Sequence, residues 1–146
     1  KELPLYSPDK FQDECAVFGI YGHKEASNLA YLGLYALQHR GQEASGIVSN
    51  DGEQFYAEKG LGLVADIFSQ RELSRLPGQM AIGHNRYSTA GGAGLKNVQP
   101  LTVNFAFGNL AVAHNGNLIN ATMLRSELEA YGAVFQSTSD TEVIMP

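Results

Sequence analysis

The stretch Ile47-Val-Ser-Asn-Asp-Gly-Glu-Gln-Phe-Tyr-Ala57 decides the fold class. Residues 47–49 and 54–57 have strand composition, and Asn50-Asp51-Gly52 between them is a strong hairpin signal. Two strands joined this closely run antiparallel, because a parallel crossover needs a much longer connection. Working outward, residues 103–107 and 110–113 predict a second hairpin, turning at Gly108-Asn109. Residues 16–21 (AVFGIY) read as a short buried strand and 80–84 as another. Ser27 is placed to cap a helix with Leu29, Leu32, Ala36 and Leu37 on one face, ending near His39. Residues 66–76 suit a short helix stopped by Pro77-Gly78. Asn120 is placed to cap a helix with Leu124, Leu128 and Tyr131 on its buried stripe, closed by Gly132. Residues 40–46 and 90–94 read as loops, the first polar and the second Gly-rich. Antiparallel hairpins interleaved with helices, without βαβ alternation, give an α+β fold with helices packed on sheets.

Composition narrows the function. The chain has 146 residues, enough for one sizeable core, and is 44% hydrophobic and 17% charged. Its net charge of −5, with no Lys/Arg block, argues against a nucleic-acid or polybasic membrane surface. No apolar run approaches the roughly 18 residues of a membrane span. The single cysteine excludes an internal disulfide and a thiolate-only metal cage, and fits a cytoplasmic setting. Residues 1–14 lack the apolar core of a secretory signal and read as a loose leader. Lys1 in place of an initiator Met, and an apolar segment starting before Pro146, mark the chain as a fragment.

Cys15 is the only thiol. A lone cysteine is most often a small core hydrophobe. A catalytic role needs a base, because a free thiol has a pKa of ~8.5 and is only slightly ionised at neutral pH. The base could be one of His23, His39, His84 and His114, none in a recognisable Cys/His context. Alternatively, removal of residues 1–14 exposes an α-amine of pKa ~8 on Cys15 itself. His39-Arg-Gly-Gln42 and His84-Asn-Arg-Tyr-Ser-Thr89 each place a guanidinium in a polar segment, suited to bidentate capture of a carboxylate or simply to the surface. His114-Asn-Gly-Asn117 reads either as a common turn or as an oxyanion site built from a Gly N–H and an Asn amide. In Ser137-Thr-Ser-Asp-Thr-Glu142, Ser139 or Asp140 suits a helix cap, and Asp140 also suits a substrate ammonium. Gly60-Leu-Gly62 has no third glycine at dinucleotide spacing, and no P-loop or His/Glu metal spacing occurs.

Five segments in order resemble the glutaminase domain of the class II, N-terminal-nucleophile glutamine amidotransferases: Cys15-Ala-Val-Phe-Gly-Ile20, Leu37-Gln-His-Arg-Gly-Gln-Glu-Ala-Ser-Gly-Ile47, Gly83-His-Asn-Arg-Tyr-Ser-Thr89, Ala113-His-Asn-Gly-Asn-Leu118 and Ser137-Thr-Ser-Asp-Thr-Glu142. The resemblance implies a sandwich of two antiparallel sheets between helical layers, incomplete at the C-terminus, with residues 1–14 as a propeptide and 15–146 as the glutaminase domain. It implies that Cys15 attacks glutamine with its own freed amine as base, forming a thioester, and that Asn115 and Gly116 form the oxyanion hole. Arg86 would hold the α-carboxylate of glutamine, Asp140 its α-ammonium, Thr89 would support the substrate, and Arg40 would organise the nucleophile's surroundings.

Gln42-Glu43 and Tyr87-Ser88 point to the branch that makes phosphoribosylamine from phosphoribosylpyrophosphate, the first committed step of purine synthesis. The hexosamine-forming and asparagine-forming branches are the nearest rivals, and a non-catalytic binding domain of the same fold is the rival from another class. That branch implies a phosphoribosyltransferase domain on the same full-length chain, a homo-oligomer, and Mg2+ and sometimes a 4Fe-4S cluster in that remote region. The glutaminase reaction itself implies no cofactor. Ala16 departs from the family's more usual glycine, a change tolerated unless a positive φ is required.

Overall fold

The computed structural model describes residues 15–38, 42–87 and 94–146. Its main sheet has four strands: β1 (Ala16–Tyr21), β2 (Gln42–Asn50), β3 (Phe55–Leu61) and β4 (Met80–Tyr87), in the order β1-β4-β2-β3. Every neighbouring pair is antiparallel. A second, two-stranded antiparallel sheet pairs β5 (Leu101–Phe105) with β6 (Gly108–Val112). Four α-helices accompany them: α1 (Ala26–Ala36), α2 (Val64–Ile67), α3 (Gln70–Leu73) and α4 (Ala121–Ala130). Short 3-10 turns occupy Leu95–Asn97 and Asp140–Ile144. The α+β class and the two antiparallel sheets are as expected.

The β2–β3 hairpin forms where Asn50-Asp51-Gly52 predicts it, because Asp51 supplies the turn's acceptors. Its carboxylate accepts from the N–H groups of Glu53 at 2.9 Å and Gln54 at 3.0 Å, and from the Tyr56 hydroxyl at 2.8 Å. The bonds from Gln54, Glu53 and Tyr56 hold its pKa below the usual value.

β2 extends back to Gln42, so the segment expected as a polar loop is instead the start of a central strand. Most of it is buried despite its polarity, with partners for the Ser45 hydroxyl and the Gln42 amide nitrogen. Ser45 Oγ donates to Asn85 Oδ1 at 2.8 Å, and Gln42 Nε2 donates to the Gly62 carbonyl at 2.7 Å. A register shift between Gln42 and Ala44 marks a bulge at Glu43, which turns that carboxylate toward β4.

One face of the main sheet carries the apolar core. Ala26, Ala30 and Leu34 of α1 pack there with Ile47, Val64, Phe68, Leu76 and Ala81. Their i, i+4, i+8 spacing makes one helical stripe. This corrects the expected face, since Leu32, Ala36 and Leu37 are exposed and Leu29 is only half-buried. Close approach selects small residues: a Cβ on Gly83 would sit 2.6 Å from Leu34 Cδ1. Asn85 Nδ2 ties the sheet to α1 by donating to the Leu34 carbonyl at 2.8 Å.

Other boundaries moved for local reasons. Ser27 lies inside α1 and donates to the Leu76 carbonyl, so Glu25 takes the cap position. The expected helix over 66–76 splits into α2 and α3 because Ser69 starts a new one with a Ser69–Glu72 capping box. β1 is an edge strand with alternating exposure rather than a fully buried one. The β5–β6 turn falls at Ala106-Phe107, before Gly108. Tyr131, expected on the buried stripe of α4, is exposed, while Leu124 and Leu128 are half-buried. No helix among the described residues is long and apolar enough to cross a membrane.

Candidate active site

The sheet face opposite α1 holds two cavities with different chemistry. One, about 520 Å³, is lined mainly by apolar residues including Val48, Phe55, Met80 and Ile82, and has no charged group and no thiol in its lining. The other is an open cleft of about 490 Å³ whose lining includes Cys15, His84, Arg86, Gly116 and Asp140. These five come from separated segments: the residue before β1, the end of β4, the loop after β6 and the last 3-10 turn. The cleft is therefore a product of tertiary assembly.

Cys15 is half-buried and free, and its thiol donates toward the Tyr87 carbonyl at 3.9 Å. The antiparallel register of β1 on β4 pairs Ala16 with Asn85, which carries Cys15 to the level of Arg86. Arg86 Nε lies 3.5 Å from Glu43 Oε1, a partly exposed carboxylate at the β2 bulge. That contact orients the guanidinium and places one negative charge behind it.

The turn after β6 presents Gly116 to the cleft with φ +155°. A side chain there would be strained by the backbone alone, and its Cβ would sit 2.9 Å from His114 Nε2, so the His114 ring would also have to shift. The neighbouring Asn115 is exposed and does not line the cleft, whereas Asn117 does. Asp140 accepts from the Leu118 N–H at 2.7 Å and, through its other oxygen, from the Thr141 hydroxyl at 3.4 Å. Ser139 caps the 3-10 turn by accepting from the Thr141 N–H, as the sequence suggested. Glu142 braces the loop. Burial alone would raise its pKa, but bonds from Ser137 and Gln136, with Arg125 4.0 Å away, hold it below the usual value.

His84 is buried at the floor of the cleft, and neither ring nitrogen has a hydrogen-bond partner among the described residues. Burial pushes its pKa down to about 4. The His114 backbone opposes this from short of hydrogen-bond geometry, while the Arg86 guanidinium and the His114 ring add to it. The imidazole is neutral at physiological pH.

Of the seven candidate residues, Cys15, Arg86, Gly116 and Asp140 come together, Asn115 sits beside them facing out, and Arg40 and Thr89 lie outside the described residues. Sequence reasoning missed Asn97, Gln99 and Thr138 in the lining. An Asn-x-Gln pattern before a proline was visible, but nothing local assigns those amides a partner. No group of three or more His, Cys, Asp and Glu among the described residues is arranged to hold a metal.

Residues 70–146 match the family model described as a glutamine amidotransferase domain. The amidophosphoribosyltransferase of Bacillus subtilis (strain 168) is 56% identical over 133 residues, covering 90% of this chain and 28% of that protein. A solved structure titled as the allosteric regulatory enzyme of purine biosynthesis superposes with a TM-score of 0.83 at 56% identity, over 88% of this chain and 28% of that one. A second, the glutamine phosphoribosylpyrophosphate amidotransferase from B. subtilis complexed with ADP and GMP, gives 0.80 at 54% identity, again over 88% and 28%. The chain thus spans a little over a quarter of the relatives it matches, and its sheets and helices are those of their N-terminal-nucleophile domain.

Proposed function

Since the chain belongs to the glutamine amidotransferase domain family, we propose that it hydrolyses glutamine to glutamate and ammonia with Cys15 as nucleophile. The observation that carries the reading is the convergence of Cys15, Arg86, Gly116 and Asp140 on one cleft. Each supplies a group the reaction needs. Removal of residues 1–14 frees the Cys15 α-amine, which takes the thiol proton; in the uncut chain that nitrogen is an amide and is not basic. The sulfur attacks the side-chain carbonyl carbon of glutamine, and its oxygen becomes an oxyanion. The Gly116 N–H and the Asn115 amide donate to that oxygen, the latter after turning inward. The α-ammonium returns its proton to the leaving nitrogen as the C–N bond breaks, giving ammonia and a thioester. Water, activated by the same amine, then releases glutamate.

Arg86 takes the substrate's α-carboxylate, for which a planar guanidinium is shaped. Asp140 keeps acceptor capacity for the α-ammonium beyond its bonds to Leu118 and Thr141. By the family resemblance, Thr89 supports the substrate and Arg40 organises the nucleophile's surroundings.

In the full-length protein the ammonia serves to convert phosphoribosylpyrophosphate to phosphoribosylamine, in a homo-oligomer whose second domain is a phosphoribosyltransferase using Mg2+. The names of the similar proteins support the amidotransferase reaction and their greater length supports a second domain, while the homo-oligomer and Mg2+ rest on the family resemblance alone. An iron–sulfur cluster needs several thiolates, and this chain has one cysteine, so its residues do not fit that group.

The test is intact-mass analysis of the full-length protein beside a glutaminase assay. Protein beginning at Cys15 is expected to turn over glutamine, and protein retaining the leader is not. Full turnover by the uncut form would end the proposal.

A further inference from the structure

Gln99 sits where the two arms of the cleft meet. Its Oε1 accepts from the His114 N–H at 2.6 Å, and its Nε2 donates to Thr141 Oγ1 at 3.3 Å. His114 opens the turn that carries Gly116, and Thr141 adjoins Asp140. Asp140 in turn accepts from the Leu118 N–H at 2.7 Å, at the far end of the same turn. These bonds close a circuit from Gln99 through the 114–118 turn to Asp140 and Thr141, and back to Gln99. Gln99 and Thr141 are both buried, so the bond between them is shielded from solvent, and the bond to His114 is partly so.

Two further features pin Gln99 itself. Its carbonyl oxygen lies directly on β2 at Gly46, where a Cβ would overlap it. Two residues earlier, Asn97 grips the Asp140 loop independently: its Nδ2 donates to Thr138 Oγ1 at 2.7 Å, and its Oδ1 accepts from the Thr138 N–H at 3.0 Å. The segment is thus anchored on the central strand, reaching the Asp140 loop through two amides but the Gly116 turn through one.

We infer that Gln99 is a positioning residue for glutamine hydrolysis, holding the oxyanion-donating turn at a fixed distance from the loop that binds the substrate's ammonium. The inference rests on the glutaminase reading. Its bond to the His114 N–H sets where the Gly116 N–H points, so its loss acts on the transition state more than on substrate binding.

The experiment uses full-length, leader-free protein. Gln99→Met keeps the side-chain length and removes both bonds. It is expected to lower kcat for glutamine hydrolysis by about ten- to a hundredfold, the scale of a small misplacement of catalytic groups, with KM nearly unchanged. Gln99→Glu restores an acceptor for the His114 N–H and is expected to recover part of that loss. Asn97→Ala loosens the Asp140 loop but spares the His114 bond, and should raise KM with a smaller effect on kcat. If Gln99→Met does not fold, Gln99→Asn, too short to reach His114, carries the same expectation. The role is overturned if kcat stays within about twofold of wild type, or if Asn97→Ala loses as much kcat as the Gln99 variant. A wild-type protein that hydrolyses no glutamine removes the glutaminase reading and this role with it; a failure confined to the variants removes this role alone.

Discussion

Replacing Gly116 with alanine perturbs the cleft in two ways whose sizes follow from the structure. The backbone there has φ +155°, where an L side chain is strained, and the new Cβ would meet His114 Nε2 at 2.9 Å. A strained position of this kind costs on the order of 1–3 kcal/mol. The turn relieves it by rotating, because the neighbouring residues are exposed. Rotation carries the Gly116 N–H away from the position of the developing oxyanion. Loss of one such donor costs about 3 kcal/mol of transition-state stabilisation, which at about 1.4 kcal/mol per decade is a 100- to 200-fold fall in kcat. KM should change little, because the donor acts on an oxygen that is charged only in the transition state. Steady-state glutaminase kinetics, with a thermal melt to confirm folding, measure both quantities. A folded Gly116→Ala protein with kcat within about threefold of wild type would refute the oxyanion assignment.

Arg86→Lys keeps the charge but loses the planar fork, so KM for glutamine should rise about 10- to 100-fold with kcat less affected, in the same kinetics. His84 predicts an acid-sensitive fold. Its folded pKa of about 4 lies below the ordinary 6.5, so between these values the unfolded chain binds a proton that the folded chain refuses. Stability from the neutral ring is complete above pH 6.5 and is lost as pH falls toward 4, by about 3 kcal/mol at most. Urea unfolding at pH 5 and pH 7 should show a pH dependence in wild type that His84→Gln reduces; equal slopes would contradict it.

The parts of the fold legible in the sequence are those fixed by neighbouring residues. Asp51 determines its own turn, and Ser139 its own cap, so both appear where the local pattern puts them. The failures occur where a distant partner decides. Gln42-Glu-Ala-Ser-Gly46 looks like a loop because it is polar, yet the Ser45 hydroxyl bonds Asn85 and the Gln42 amide nitrogen bonds the Gly62 carbonyl. The leucines of α1 suggested the wrong face, because the helix packs through Ala26, Ala30 and Leu34, with Leu34 seated against Gly83. The same division holds at the cleft. Cys15, Arg86, Gly116 and Asp140 stood out by residue chemistry and by family resemblance. Gln99 did not, since it acts through a turn 15 residues away, and His84, one of four candidate bases in the sequence, is set apart only by its burial.

Covalent trapping of Cys15 tests the nucleophile most directly. Leader-free protein treated with a glutamine-like diazo ketone should carry one adduct on the peptide that begins with Cys15, excess glutamine should protect it, and glutaminase activity should fall in step with labelling. An unmodified Cys15 in protein that still hydrolyses glutamine, or labelling that glutamine does not slow, would contradict the assignment.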